Sequence, residues 1–258
     1  MTIVAVLGLG EAGGRLAADL AAAGVEVRGY DPEAAGDAPD PQAAVAGSDV
    51  VLSVNSARAA LDAAESALPA LAPGAVFADL NTGSPELKRE VAALVAVAGA
   101  RFADVALLGA VPARGLRTPA LASGDGAGAF AETFSPLGMP VEVVSAQAGD
   151  AATLKLLRSV FMKGIAAAAI ESLEAAEAAG RREWLERELA DVLGAPLLER
   201  LLTGTRLHAA RRVDEMEAAR QLLLELGVEP RITSASASLL AEVAGDTRLR
   251  ATRLRLDR

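Results

Sequence analysis

The chain has 258 residues, of which 52% are apolar, and a formal net charge of −9. This acidic balance does not favour nucleic-acid binding, and the lack of cysteine excludes disulfides, thiolate catalysis and Cys-ligated metals. We expect no secretory leader, because the first residues already belong to the first strand and carry no basic segment, and no uncharged apolar stretch is long enough to cross a bilayer. We therefore expect a cytoplasmic protein that uses no metal and does not bind a membrane.

The chain opens on an apolar strand, Val4 to Leu7, that runs into a glycine-rich turn and a helix over 15–23. Gly8, Gly10 and Gly13 have the G-x-G-x-x-G spacing, which in a strand–turn–helix context indicates a dinucleotide site. The first glycine permits the turn, the second lets a pyrophosphate approach and the third lets the helix pack closely. The expected cofactor contacts in this turn are Gly8, Leu9, Gly10, Glu11, Ala12 and Gly13.

A second strand, Val25 to Tyr30, ends in Asp31, about 20 residues beyond the glycines. An acidic side chain at this position holds the ribose hydroxyls of NAD and repels the 2′-phosphate of NADP. We therefore expect NAD as cofactor and keep NADP as a possibility. The alternative is that Asp31-Pro32 is only a turn.

Further strands alternate with helices as far as residue 144. The expected strands are Asp49–Val54, Gly74–Asp79, Arg101–Val105 and Val141–Val144, with helices at Ala57–Leu71 and Glu86–Ala98 and a hairpin-like segment at Thr118–Ser123. This order predicts an α/β fold, a Rossmann-type, doubly wound, mainly parallel sheet spanning residues 1–148. Val54, Asn55 and Ser56 follow the third strand, where such sheets bind ligands, and are expected cofactor contacts.

Residues 149–258 contain no convincing strand, which predicts an all-helical second domain for substrate binding and dimerisation. A long interdomain helix is expected from Asp150 to Ala179, followed by helices at Glu183–Leu193, Pro196–Leu202, Arg206–Leu226 and Ala235–Ala244. A segment this short would hardly bury its apolar faces alone, so we expect a homodimer through these helices. The basic tail, 248–258, is expected to be solvated or to contact the partner rather than nucleic acid.

Polar residues recur on one face of the long helix. The polar members are Lys155, Arg158, Ser159 and Lys163, and the apolar Met162 shares their face, at spacings of i, i+3, i+4, i+7 and i+8. A lysine in this setting can act as a general acid/base. The alternative for this face is simple exposure to solvent.

Four motifs together make the sequence resemble the β-hydroxyacid dehydrogenase superfamily, which includes 3-hydroxyisobutyrate and 6-phosphogluconate dehydrogenases. They are GLGEAG at 8–13, DLNTGSP at 79–85, DVALLGA at 104–110 and GDAATLKLLRS at 149–159. The resemblance implies that Lys155 is the catalytic lysine and that Ser159 partly replaces an asparagine that orients it. It further implies that Asn81, Thr82, Gly83 and Gly109 hold the substrate, with Asn81 taking part in catalysis and Thr82 also close to the cofactor. Leu108 stands where the family has a serine, which suggests a larger or less polar ligand.

A bacterial subgroup with a short helical C-terminal domain of unassigned function fits best, through the KLLRSVFMKG segment at 155–164. This resemblance implies that Arg158, Lys163 and His208 contact an anionic small-molecule substrate, with Arg211 and Arg212 on the same side of a helix as His208. The alternative for His208 is a surface or interface residue. The leading hypothesis is an NAD(P)-dependent oxidoreductase acting on a hydroxy acid or related alcohol. An imine reductase and a nucleotide-binding module without catalysis remain open.

Overall fold

A computed structural model describes residues 2–256 and, of these, the side chains of residues 2–245. The chain divides into two compact units, Met1–Lys155 and Leu156–Arg258. This division falls within the long helix, a few residues beyond the boundary at 148/149 that the sequence pattern predicts. The side chains of the basic tail lie outside the described residues.

The first unit contains a seven-stranded sheet within its described residues, in the order β2-β1-β3-β4-β5-β6-β7. The strands are β1 (Ile3–Leu7), β2 (Glu26–Tyr30), β3 (Val50–Ser53), β4 (Val76–Asp79), β5 (Arg101–Leu107), β6 (Ala120–Ser123) and β7 (Val141–Ser145). The first five are parallel, β6 is antiparallel to β5, and β7 is parallel to β6. The predicted α/β, mainly parallel sheet is confirmed.

Helices cover both faces of this sheet. They are α1 (Glu11–Ala22), α2 (Pro41–Val45), α3 (Ala60–Ala67), α4 (Pro85–Val97), α5 (Val111–Arg114) and α6 (Ala127–Phe134), with short 3₁₀ turns at Ala57–Ala59, Leu68–Ala70 and Gly115–Arg117. Successive residues of β1 point to opposite faces, so Val4 enters one buried cluster and Ala5 the other. Two apolar layers of this kind make the sheet doubly wound, as the alternating pattern predicts.

The second unit is helical throughout its described residues. The long helix α7 (Asp150–Ala178) leads into it, and α8 (Arg182–Leu193), α9 (Ala195–Leu207), α10 (Ala209–Glu225) and α11 (Arg231–Leu256) follow. A small core forms where Leu156 of α7 packs against Ala219 and Leu222 of α10. Within residues 2–256, no helix combines the length and apolarity that a membrane crossing requires.

Four predicted helix boundaries in this unit are wrong, namely the end of α9, the start of α10 and both ends of α11. The expected single helix from Arg206 to Leu226 is interrupted at His208, whose φ of −124° and ψ of 25° lie outside the helical region. Residues 206–207 instead extend α9, in which the Thr205 hydroxyl donates to the Leu201 carbonyl, a bond that bends helices. The last helix also begins earlier and runs longer than the expected 235–244.

Candidate functional site

The turn between β1 and α1 requires glycine at two positions. Gly8 has a φ of +102°, and a Cβ there would lie 2.3 Å from the Val54 carbonyl oxygen. A Cβ on Gly13 would lie 1.8 Å from the Gly8 carbonyl oxygen. These two residues therefore form the tight turn and the close helix–strand contact that the spacing predicts.

Gly10 differs from its two partners because a Cβ on it would meet no atom within 4 Å. Neither crowding nor its φ of −61° requires glycine here. No side chain caps the first turn of α1, where Glu11 and Ala12 follow Gly10, so their backbone N–H groups face the space beside Gly10 without a side-chain acceptor. An open, uncapped helix N-terminus of this kind fits a pyrophosphate.

Asp31 at the end of β2 has two structural roles. Its carboxylate accepts hydrogen bonds from the backbone N–H of Leu9 at 2.6 Å, of Glu33 at 2.8 Å and of Ala34 at 3.1 Å. Partial burial opposes the charged form, but these three donors outweigh it and lower the pKa of Asp31. The side chain is therefore an anion that ties the glycine turn to the loop after β2, and it also forms the turn that the alternative interpretation expects.

The carboxyl ends of β3 and β4 are joined by an amide network. The Asn81 side chain is buried; its oxygen accepts from the Asn55 backbone N–H, and its Nδ2 donates to Ser53 Oγ at 3.2 Å. The Asn55 Nδ2 donates to the same hydroxyl at 3.1 Å. A Cβ on Gly8 would lie 2.5 Å from the Asn55 side-chain oxygen, so this network borders the glycine turn. Ser56 is exposed beyond it.

Lys155 and Thr82 are adjacent, although 73 residues separate them in sequence. The Lys155 Nζ donates to Thr82 Oγ1 at 2.7 Å, and both side chains are partly buried. Gly83 is buried against Leu87, and the Ser84 hydroxyl caps α4 by accepting from the Leu87 N–H at 3.2 Å. The loop that follows Asn81 is thus fixed between the end of β4 and the start of α4.

Gly109 lies exposed on the loop after β5, at the same edge of the sheet as the loop after β4. The preceding residue, Leu108, is held by a hydrogen bond from its N–H to the Pro119 carbonyl at 2.8 Å. A Cβ on Gly109 would lie nearest the side chains of Thr118 and Arg114, and its expected role as a substrate contact stays a prediction.

The second unit contains a cluster around the buried Glu215. The Ser159 hydroxyl and the Lys163 Nζ both donate to Glu215 Oε1, the latter at 2.7 Å, and the Lys163 Nζ also lies 3.0 Å from Ser159 Oγ. Burial lowers the pKa of Lys163; Glu215 opposes this effect, whereas Arg212 and Arg158 add to it. The Glu215 carboxylate thus contacts Ser159 and Lys163, and the charges of Arg158 and Arg212 act on Lys163 as well.

His208 is half-buried at the start of α10, where its carbonyl accepts from the Arg212 N–H at 3.0 Å. The Arg212 guanidinium donates to Thr205 Oγ1, and Arg211 is exposed. Arg211 and Arg212 are thus in different surroundings, because one faces solvent and the other lies in the Glu215 cluster.

A buried ionic triad of Lys88, Asp79 and Asp104 was not predicted from the sequence. Lys88 of α4 is 1% exposed, and its Nζ lies 3.1 Å from Asp79 Oδ2 and 3.2 Å from Asp104 Oδ1. Burial opposes the lysine charge, but the two carboxylates outweigh it and raise the pKa of Lys88 above its ordinary value. The available signal was a pair of aspartates in two apolar strands, which the β4–β5 register places side by side.

Comparisons with known proteins extend these observations. The model of the NAD binding domain of 6-phosphogluconate dehydrogenase matches residues 3–133, just over half of the chain. A second model, described as a domain of unknown function (DUF1932), matches residues 176–243.

Solved structures are similar over nearly the whole chain. A conserved hypothetical protein from Sinorhizobium meliloti is 30% identical over 93% of this chain and 88% of its own, with a TM-score of 0.69. A Mycobacterium tuberculosis 3-hydroxyisobutyrate dehydrogenase, determined with L-serine, is 22% identical over 96% and 95%, with a TM-score of 0.80. An Aspergillus terreus reductive aminase, in complex with NADPH and ethyl levulinate, is 21% identical over 95% and 94%, with a TM-score of 0.64.

Proposed function

Because this chain belongs to the β-hydroxyacid dehydrogenase-like family and carries its NAD-binding domain, we propose that it transfers hydride between a nicotinamide cofactor and a hydroxy acid or related alcohol. Lys155 is the proposed general acid/base. Membership of this family makes the protein a dehydrogenase-like oxidoreductase, and the reaction and the residues that carry it out are proposed from the site.

One observation carries the proposal, namely the 2.7 Å contact between Lys155 Nζ and Thr82 Oγ1. The contact lies in the unit that also contains the glycine turn. Gly8 borders Asn55, Asn55 bonds to Asn81, and Thr82 follows Asn81 in the chain. The proposed dinucleotide site and the proposed acid/base therefore belong to one continuous set of contacts at the carboxyl edge of the sheet, where α/β folds bind ligands.

The dinucleotide, Lys155 and Thr82 each have a distinct proposed role in the reaction. A nicotinamide dinucleotide bound at the glycine turn would supply the hydride acceptor or donor. In alcohol oxidation, the neutral Lys155 amine would accept the proton of the substrate hydroxyl, and in reduction the ammonium would return it. Thr82, which already holds Nζ, would orient the lysine toward that oxygen.

Asn81 has a narrower proposed role than direct catalysis. Its amide oxygen and nitrogen both bond within the protein, to Asn55 and Ser53. These bonds support a role in holding the loop that carries Thr82 and Gly83. Substrate contact by Asn81 stays a prediction. Thr82 is the stronger candidate for such a contact, because its hydroxyl lies against Lys155.

The substrate is proposed to be anionic. The charges of Arg158 and Arg212 help to lower the pKa of Lys163 in the second unit, so an additional anion near these side chains would lower the electrostatic energy there. Ser159 and His208 belong to the same unit and remain proposed substrate contacts.

NAD is the proposed cofactor because the anionic Asp31 would repel the 2′-phosphate of NADP. The NADPH bound by the Aspergillus reductive aminase motivates testing both dinucleotides. The test is a screen of hydroxy acids and their oxo counterparts, monitored by the absorbance of NADH and NADPH. Turnover of at least one hydroxy acid, with higher kcat/KM for NAD, supports the proposal; activity only on imines or amines contradicts it.

Two other functions have specific motivations. Reductive amination is motivated by the Aspergillus structure, and the lysine at position 155 argues against it. A nucleotide-binding module without catalysis is motivated by Ser159 and Asn81, whose polar atoms bond within the protein. A Lys155→Ala variant separates a dehydrogenase from a binding module, because only the dehydrogenase has turnover to lose.

We also propose a cytoplasmic homodimer formed through the helices of the second unit. Large apolar side chains are exposed there, including Phe161 (68%), Ile232 (66%) and Trp184 (54%). Burying such residues against a second copy would remove apolar area from water. Light scattering of the whole chain tests the dimer, and a monomer at micromolar concentration would contradict it.

A further inference from the structure

The buried triad of Lys88, Asp79 and Asp104 connects two segments that the proposed reaction needs. Asp79 ends β4, directly before the loop that carries Thr82, and its Oδ1 accepts from the Asn81 N–H at 3.0 Å. Lys88 holds this end of the strand twice, since its Nζ contacts the Asp79 carbonyl at 2.9 Å as well as the carboxylate.

Asp104 connects the triad to the start of α7. Its Oδ2 accepts from the Ala152 N–H at 2.9 Å, and Ser123 Oγ accepts from the Ala151 N–H at 3.0 Å. The Ser123 hydroxyl also donates to Asp104 Oδ2 at 3.3 Å. Two buried side chains from β5 and β6 therefore cap the helix N-terminus, one turn before Lys155.

The charges within this arrangement partly compensate one another. Two carboxylates and one ammonium leave one excess negative charge, and the N-terminus of α7 directs its N–H groups and positive dipole end at Asp104. Removing Lys88 would leave two adjacent, buried carboxylates without the ammonium group that both contact. This change would destabilise the end of β4 and the start of α7, the two segments that bring Thr82 and Lys155 together.

We propose that Lys88 is a positioning residue of the reaction. It holds the end of β4 and, through Asp104 and Ser123, the start of α7, and thereby sets the contact between Lys155 Nζ and Thr82 Oγ1. The inference rests on the proposed function only where it concerns turnover, because the geometry of the contact can be measured without a substrate.

The test compares Lys88→Met with Val95→Ala, a matched control on the same helix whose wild-type side chain is fully buried but apolar. Lys155 reactivity is read by limited acetylation with acetic anhydride and quantified by mass spectrometry. Losing the Thr82 bond should raise acetylation of Lys155 by about threefold or more in Lys88→Met. Val95→Ala should leave it unchanged.

Turnover gives the second measurement. On a substrate of the wild-type protein, kcat of Lys88→Met should fall by about 10- to 100-fold, because misplacing a reacting group by about 1 Å has this effect. The dinucleotide Kd should change by less than about twofold, since the glycine turn keeps its contacts. If Lys88→Met does not fold, Ser123→Ala serves instead, because it removes the bond to the Ala151 N–H without leaving a charge unpaired.

The possible outcomes distinguish the positioning role of Lys88 from the proposed dehydrogenase function. If Lys155 is acetylated more in Lys88→Met than in wild type, and the wild-type protein turns over no hydroxy acid, the positioning role is supported and the proposed function is contradicted. Unchanged acetylation and unchanged kcat in a folded Lys88→Met protein overturn the positioning role, whether or not the wild-type protein is a dehydrogenase. An equal response from Val95→Ala also overturns it, because general loosening of the fold would then explain the effect.

Discussion

Replacing Glu215 by glutamine should destabilise the second unit in a pH-dependent way. The substitution removes the carboxylate that contacts Ser159 and Lys163, and Lys163 remains under the influence of the Arg158 and Arg212 charges. Removing one partner of a fully buried ion pair costs about 3–5 kcal/mol. Both side chains here keep slight exposure, 14% for Lys163 and 9% for Glu215, and glutamine retains an acceptor for Ser159. We therefore expect a loss of about 2 kcal/mol in unfolding free energy at neutral pH.

The pH dependence has a definite sign. The pKa of Lys163 is lowered in the folded protein, and Glu215 opposes that shift, so Glu215→Gln should lower it further. Between the folded and unfolded pKa values of a depressed lysine, the unfolded chain binds more protons, so stability rises with pH. The deficit of the variant relative to wild type should therefore shrink between neutral pH and about pH 10.

Urea titrations at several pH values measure both effects. Glu217→Gln is the matched control, because Glu217 lies on the same helix in an exposed pair with Arg220, and its loss should cost far less than that of Glu215. A Glu215→Gln deficit that stays constant or widens with rising pH, or one no larger than that of the control, would contradict this prediction.

Further predictions concern the cofactor site. Gly13→Ala should destabilise the protein without any cofactor by at least about 1–3 kcal/mol, because its Cβ would collide with the Gly8 carbonyl. Gly10→Ala should leave stability within about 0.5 kcal/mol yet weaken dinucleotide binding about tenfold; calorimetry showing unchanged binding would remove Gly10 from the site. Asp31→Asn should shift the kcat/KM ratio toward NADPH by about tenfold or more, since the repelling charge is lost. An unshifted ratio would leave Asp31 with its turn-forming role alone.

The features that the sequence predicted well are local ones. The glycine spacing, the strand that precedes it and Asp31 at the end of the next strand lie within about 30 residues, and neighbouring residues determine their geometry. The order of strands and helices was also readable, because buried parallel strands are short apolar runs. The approach of Lys155 to Thr82 was expected only through the family resemblance, since 73 residues separate them.

The features that could not be predicted from the sequence depend on which distant residues the folded chain brings together. Asp79 and Asp104 become neighbours only because β4 and β5 pair at that position, and Lys88 then provides the charge that both require. Ser159 meets Glu215 across 56 residues, which no helical periodicity on α7 could indicate. The interruption at His208 was missed because the residues around it have ordinary helix propensities, and the bond from Thr205 to Leu201 is visible only in the folded chain.

If Lys155 moves the proton during hydride transfer, its replacement by methionine removes the general acid/base. The kcat of a Lys155→Met variant on the substrate found by the screen, with dinucleotide Kd measured alongside, tests this role. We expect kcat to fall by about 100-fold or more, the size typical of a lost general acid/base, with Kd within about twofold of wild type. An unchanged kcat would show that Lys155 does not move the proton.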